Sequence, residues 1–392
     1  VQHFALNECS EQGPVFFSAY GVQSALAVVE PLVFRMPSCS PRPHFDCPSW
    51  ARTCRIGDTL VLAPEKLRTY ERGAVDENAL RTARERAAQP EIPVESQFGF
   101  LGTGASRPSK YRNVTSQFVR IPGVGLTLFD CGEGTLGQLW RLHGSRLSRI
   151  LADLRCIFVS HLHADHHLGL TSLLSAAASA AVEHHSEGLP PLFVVGPAPL
   201  RFWSEEMKEW HSPPALGCAW RDQFIDCNHM TEDVCASLGL LHFEAVNVIH
   251  CPLAFGFVLE WKDERCASNN NSFRFVYSGD TRPCFSLEDA GRDADLLIHE
   301  ATFEDSMQED AENKRHCTIS EARDSGDRMN AKCVVLTHFS QRYPKAVTET
   351  GPHPVALAWD LMCFDMSHFS HLASVSSLAR NVFPVDEEED EK

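Results

Sequence analysis

The segment HLHADHH, residues 161–167, sets His161, His163, Asp165 and His166 in an H-x-H-x-D-H pattern, with His167 directly after it. Imidazole and carboxylate donors at this density, with no cysteine among them, suit a borderline divalent cation, Zn²⁺ first and Mn²⁺ or Fe²⁺ after it. Other candidates stand far off in the chain but share one feature. His250 follows AVNVI, Asp280 follows FVYSG, His299 and Glu300 follow DLLI, and His338 follows CVVLT, just as His161 follows CIFVS. Each apolar run reads as a strand, so each polar group stands at a strand's C-terminal end, where several ends along one sheet edge share a cleft. Seven donors are too many for one zinc. Two ions about 3.5–4 Å apart, sharing a carboxylate, would use them all and activate a water near neutral pH.

The elements that must position these groups begin near residue 97. Short runs closed by glycine turns predict strands: FGFLGTGAS, FVRIPGVGLTLFDCGEG, LRCIFVSH, PLFVVGP, LHFEAVNVIH, FGFVLEW, FRFVYSGD, ADLLIHE and AKCVVLTH. LTSLLSAAASAAVEHH and SEARDSGDRMN read as helices between them, so the architecture is a mixed, layered α/β domain over residues 95–375. Residues 1–94 read as a loose appendage with a Pro/Cys/Arg-rich loop at 37–56 and a charged helix over 76–89 that Pro90 ends. Cys39, His44, Cys47 and Cys54 in that loop fit no paired-cysteine zinc spacing, and an irregular surface loop is the plainer reading. The stretch 376–392, closing on DEEEDEK, reads as a disordered acidic tail.

Composition narrows the function classes. A hydrophobic share of 43% with 22% charged residues is that of a soluble globular chain, and no apolar run is long enough to span a bilayer. A formal charge of −17 excludes nucleic-acid binding by bulk electrostatics and leaves only local basic clusters for that task. Fifteen scattered cysteines suit free thiols in a reducing compartment. The chain opens on Val1 with no charged-then-apolar leader, which reads as an internal fragment or a processed product.

SHLHADHHLGL carries the signature of the metallo-β-lactamase fold. Together with FLGTGASRPSKYRNVTS, LFDCGEGTLGQL, HCPLAFGF, YSGDTRPC, LLIHEATFED and LTHFSQRYPK, spread from Phe98 to Phe369, it resembles tRNase Z, the endonuclease that removes the 3′ trailer from precursor tRNA. The resemblance implies a four-layer αββα sandwich with an N-terminal appendage. It implies that His161, His163 and His250 bind one zinc, that Asp165, His166 and His338 bind a second, and that Asp280 bridges them. Asp130, in FDCGEG, would orient ligands; read locally, it is equally a turn carboxylate capping nearby amides. By the same resemblance a metal-activated water attacks after the discriminator nucleotide and leaves a 3′-hydroxyl on the tRNA. Asp165 would also hold that water, and Glu300 and His316, placed like the family's H-E-A-T and H-S-T blocks, are the proton-donor candidates. Cys317 stands where serine is usual.

PSKYRN, residues 108–113, matches the family's P-x-K-x-R-N loop, so Lys110, Arg112 and Asn113 would meet the tRNA 3′ end; a solvated charged turn is the alternative. Arg282, Arg342 and Lys345 would add a basic rim. The family's tRNA-gripping arm lies between the blocks of His250 and Asp280, and the 29 residues separating them here leave it no room. Long forms carry the arm in a degenerate N-terminal half, whose closing stretch residues 1–36 resemble. The chain thus looks like the catalytic half of a eukaryotic long form, with precursor tRNA as substrate, the arm on a missing half or a partner subunit, no membrane association, and nucleus or mitochondrion as the compartment. The competing readings are a non-catalytic or weakly active scaffold of the same family and another dinuclear zinc hydrolase of the fold.

Overall fold

The computed structural model describes residues 97–109, 111–184, 191–210, 222–266, 271–341 and 355–374, with short backbone pieces at 3–5, 33–34, 51–53, 59–60 and 70–71. Two sheets face each other. The first contains β1 (Phe98–Gly102), β2 (Ser116–Ile121), β3 (Gly125–Phe129), β4 (Leu154–Phe158), β5 (Leu192–Gly196) and β6 (Asp222–Asp226), and is completed by the late strand Cys363–Phe364 beside β1. The second runs in order through β7 (Leu240–Asn247), β8 (Phe255–Lys262), β9 (Ser272–Tyr277), β10 (Leu296–Glu300), β11 (Val334–Thr337) and the short strand Ala356–Leu357.

Aromatic side chains fill the space between the sheets. Phe98, Phe100, Phe129 and Phe158 point inward from the first sheet, and Phe257, Trp261, Phe273 and Phe275 from the second, all within one buried cluster. Phe129 packs on Phe158 at 5.0 Å and on Phe275 at 4.8 Å between ring centroids, contacts that add to the area each ring buries. Helices cover the outer faces. The first sheet carries α1 (Thr135–His143), α2 (Leu147–Ala152), α4 (Leu170–His184) and α5 (Pro199–Trp210), and the apolar faces of α1, α2 and α4 join its outer core. The second carries α7 (Phe285–Ala290) and α9 (Ile319–Met329). The remaining helices, α3 (Ala164–His167), α6 (Glu232–Ser237) and α8 (Gln308–Lys314), sit in the connections. The result is the αββα sandwich of the metallo-β-lactamase fold.

Strand direction decides where the chemistry gathers. β7 and β9 are both antiparallel to β8, and β9, β10 and β11 are mutually parallel, so the C-terminal ends of β7, β9, β10 and β11 share one edge. β4 ends on the facing sheet, parallel to β3 and β5. The nine strand-predicting sequence runs all hold strands. Pattern reading misses β6 and the two-residue strands Ala356–Leu357 and Cys363–Phe364; DQFID of β6 is an edge strand with two aspartates and no apolar alternation. Among the described residues, the expected appendage meets the sandwich where Phe34 bridges Met362 and the Val33 carbonyl accepts the Cys363 N–H at 2.7 Å, with both side chains fully buried in the inter-sheet core. The helix over 76–89, the loop cysteines, Lys110, Arg342, Lys345 and the acidic tail lie outside the described residues. Among the described residues no helix is long and apolar enough to cross a membrane.

Candidate metal centre

Of the groups predicted from strand ends, His161, His250, Asp280, Glu300 and His338 meet in one cleft, whereas His299 is buried, belongs to none of the donor groups and has its Nδ1 2.7 Å from the Glu300 carbonyl. Asp280, 3% exposed, places Oδ2 at 3.6 Å from His161 Nε2, 3.3 Å from His166 Nε2 and 3.7 Å from His250 Nε2, while its Oδ1 lies 3.4 Å from His338 Nε2. Asp165, His166 and His338 form one three-donor group; His161, His163 and His250 form another, in which Cys251 joins them. Asp280 stands between the two groups.

Local backbone chemistry explains how such groups are held. His163 closes an extended segment, and the single turn α3 then lifts Asp165 and His166 into the cleft. The DCGEG loop packs against this turn so closely that a Cβ on Gly132 would stand 2.2 Å from the Asp165 carbonyl. Gly279 turns the chain into Asp280 with φ +57°, a conformation that favours glycine. Asp130, Arg315 and His338 adopt the same left-handed region without being glycine, at φ 56°, 59° and 62°. Strain of this kind persists where surrounding contacts impose it.

Those contacts fix the imidazoles. Asp130 Oδ2 lies 2.7 Å from His166 Nδ1 and accepts from Tyr277 Oη at 2.5 Å and Ser160 Oγ at 2.8 Å, while its Oδ1 accepts the Ser160 N–H at 2.7 Å. The carboxylate thus reaches across to a histidine as well as receiving a backbone amide. His250 Nδ1 is 2.9 Å from the Arg315 carbonyl, His338 Nδ1 is 2.8 Å from Thr302 Oγ1, and His161 Nδ1 is 3.0 Å from Ser160 Oγ. Each ring's Nε2 is thereby left to face the cleft. Ser160, Tyr277, Thr302 and Arg315 escaped the sequence reading because their types carry no metal signal of their own.

The centre fits a cation on the structure's own terms. His161 Nε2, His166 Nε2 and Asp280 Oδ1 are buried without any hydrogen bond, and His163 Nδ1 faces His250 Nε2 at 3.1 Å. Buried polar atoms of this kind need a partner, and nitrogen and carboxylate donors suit zinc. Electrostatics agrees. Burial pushes His161, His163 and His250 below the usual imidazole range, toward the neutral form that ligates. Burial also opposes charge on His166, but Asp280, Asp165 and Asp130 outweigh it and lift that ring well above its ordinary value, so the carboxylates call for positive charge between them. His163 is exposed and opens the cleft to solvent.

Beside the donors stands a proton-holding pair. His316 Nδ1 lies 2.8 Å from Glu300 Oε1 and 3.9 Å from Asp280. Burial disfavours charge on His316, but the Glu300 carboxylate outweighs it and raises the ring to about 9. Glu300 is fully buried and also accepts the Thr281 and Thr302 N–H groups at 2.9 and 3.0 Å and the Thr302 hydroxyl at 2.7 Å. Next along the chain, Thr318 and Glu321 form a capping box that starts α9. Cys317 is fully buried between them, and its thiol donates to the Thr281 carbonyl at 3.0 Å, supporting the residue that follows Asp280.

The cationic residues behave differently from expectation. Arg112 is 3% exposed. Its guanidinium lies 4.3 Å from the Trp359 ring centroid and 4.7 Å from that of Phe339, and donates to Thr103 Oγ1 at 2.7 Å and the Ala358 carbonyl at 2.8 Å. Asp360 stands beside it and accepts from Thr103, the Asn113 N–H and Gln138. A tRNA-facing Arg112 does not fit this placement: two aromatic faces and two acceptors offer the guanidinium more than solvent does. Asn113 is half-buried and anchored through its backbone. Arg282 makes a two-pronged ion pair with Glu321 and donates to the His316 carbonyl at 2.7 Å, so it braces the acid pair instead of forming an open basic rim.

The chain is similar in sequence and fold to known proteins. The family model described as anti-Pycsar protein Apyc1 matches residues 96–360. The chain is 37% identical over 339 residues to "tRNase Z TRZ3, mitochondrial" of Arabidopsis thaliana, covering 74% of this chain and 37% of the relative. It is 33% identical over 441 residues to "Zinc phosphodiesterase ELAC protein 2" of Macaca fascicularis, covering 99% of this chain and 50% of the relative. The chain therefore spans about half, or less, of the length of these relatives. The crystal structure of a long form RNase Z from yeast superposes with a TM-score of 0.75 at 24% identity, covering 94% of this chain and 62% of that one.

Proposed function

The chain belongs to the family described as anti-Pycsar protein Apyc1, with tRNase Z among its relatives and the metallo-β-lactamase fold, and from that premise we propose that it is the catalytic half of a zinc-dependent endoribonuclease removing the 3′ trailer of precursor tRNA. The observation that carries the reading is the meeting of two three-donor groups on either side of Asp280 with the His316–Glu300 pair alongside.

In this reading His161, His163 and His250 hold one zinc, Asp165, His166 and His338 hold another, and Asp280 is shared. Zinc bound there would stabilise charge developing on phosphoryl oxygens and make a water nucleophilic near neutral pH. The chain's own residues do the rest. Asp165, whose Oδ2 accepts the Ser106 N–H at 2.6 Å, orients the attacking water. His316, kept protonated by Glu300, delivers its proton to the departing 3′ oxygen of the discriminator nucleotide. Asp130 holds His166 in its ligating tautomer.

Grip on the tRNA elbow would come from residues beyond this catalytic half or from a partner subunit, because only 29 residues separate His250 from Asp280 and β8 and β9 take up 14 of them. A relative named as mitochondrial supports the mitochondrion as the compartment, and the nucleus rests on the family resemblance alone. The test is to count zinc per chain and compare a 3′-extended tRNA with bis(p-nitrophenyl) phosphate. We expect two zincs and cleavage of the small ester, with the tRNA cut after the discriminator once the arm-bearing half is supplied. Two zincs with neither substrate cleaved would support the scaffold reading.

A further inference from the structure

Beside the shared Asp280, the half of the centre built by His161, His163 and His250 has one more candidate donor. The Cys251 sulfur stands with the three imidazoles in one group whose ligand atoms all lie within 4.8 Å of one another. His161 is fully buried, and its Nε2, aimed into this group, has no hydrogen-bond partner. Cys251 directly follows His250, on a loop turned by Leu253 at φ 59°, and is only half-buried. With the shared Asp280 the three imidazoles already make four donors, so the sulfur would be a fifth and would take the position that catalytic zinc keeps for water.

We propose that the Cys251 thiolate is a further protein donor, beside the shared Asp280, to the ion held by His161, His163 and His250, closing that position in the resting chain and making this half selective for zinc or a softer cation. The exchange balances simply: the thiol gives its proton to solvent, a metal–sulfur bond forms, and a water leaves the ion. The reverse exchange, on an exposed flank of the cleft, opens the position for substrate. Thiolate ligation also gives this half a preference for Cd²⁺ that an imidazole and carboxylate set lacks. The inference rests on the reading that this centre binds metal, and the test separates the two.

X-ray absorption at the zinc edge of the full chain should show a sulfur neighbour at about 2.3 Å, lost in Cys251→Ser while the zinc count stays at two. Cobalt-substituted chain should show a near-ultraviolet thiolate-to-cobalt band that the same variant loses. Two zincs with no sulfur neighbour in the wild-type chain, or a sulfur signal unchanged in Cys251→Ser, would overturn the proposal and leave the metal centre standing. Absence of zinc from the wild-type chain would overturn both.

Discussion

Asp130 Oδ2 and His166 Nδ1 stand 2.7 Å apart at the floor of the cleft, both fully buried, with Tyr277 and Ser160 donating to the same carboxylate. The contact leaves His166 Nε2 facing Asp165 and Asp280. An amide in place of the carboxylate would keep the shape but could not accept from all these donors, and the ring would lose its fixed tautomer. Asp130→Asn should therefore weaken zinc binding about 10–100-fold. Competition against a chelator measures this directly, and unchanged affinity would remove Asp130 from the role.

His316 is separable from the metal donors. It lies against Glu300 at 2.8 Å and reaches Asp280 only at 3.9 Å. His316→Ala should keep the zinc and lower kcat about 10²–10⁴-fold, the usual worth of a positioned proton donor. His161→Ala and Asp280→Ala should lose metal and activity together. Equal metal loss in all three variants would refute the division of labour.

Legibility in the sequence followed from how specific each residue type is. His161, His250, Asp280 and His338 could be placed beforehand because a polar side chain ending an apolar strand has few structural uses; strand direction in the second sheet brought His250, Asp280 and His338 to one edge, and His161 faces them from the end of β4 in the first. Arg112 could not. Whether an arginine in a polar loop turns outward or inward depends on what covers it, and its cover, Phe339, Trp359 and Asp360, arrives more than 200 residues later. Arg282 was misread for the same reason, since Glu321 comes from a helix with no visible link to it. β6 was missed because an edge strand does not need apolar alternation.

The Arg112 cage makes a stability prediction that a substrate contact would not. Arg112→Ala removes the cation near Asp360 and leaves Thr103 Oγ1 and the Ala358 carbonyl without their donor. Leaving buried acceptors unpaired costs about 1–3 kcal/mol, readable as a lower urea midpoint. A tRNA-contacting arginine would instead raise KM for tRNA with the midpoint unchanged. Arg112→Lys should recover only part of the loss, because a point charge cannot stack between Phe339 and Trp359 while also reaching Thr103 and Ala358.

Asp360 gives the chain a stability component of unusual sign. Burial raises its carboxyl from 3.8 to about 6, even though the Asn113 N–H, Thr103 and Arg112 all favour the charged form. The folded chain thus holds this proton more tightly than the unfolded one. The stabilisation is fully present below about pH 3.8 and is lost as pH rises through about 6, with a size on the order of 3 kcal/mol. Other carboxylates here shift the opposite way: burial would raise Asp263 and Glu321, but hydrogen bonds to Arg265 and Arg282 outweigh it and hold both low. The total curve therefore hides the effect, and the useful quantity is a difference. The unfolding free energy of the wild type minus that of Asp360→Asn, from urea titrations, should fall between about pH 4 and pH 6.5 and be flat above. The amide does not titrate, so its lost hydrogen bonds enter as a constant offset. A difference that stays level across the window would show that the Asp360 carboxyl titrates alike in the folded and unfolded chain, and that the Arg112 cage, not burial, sets its charge.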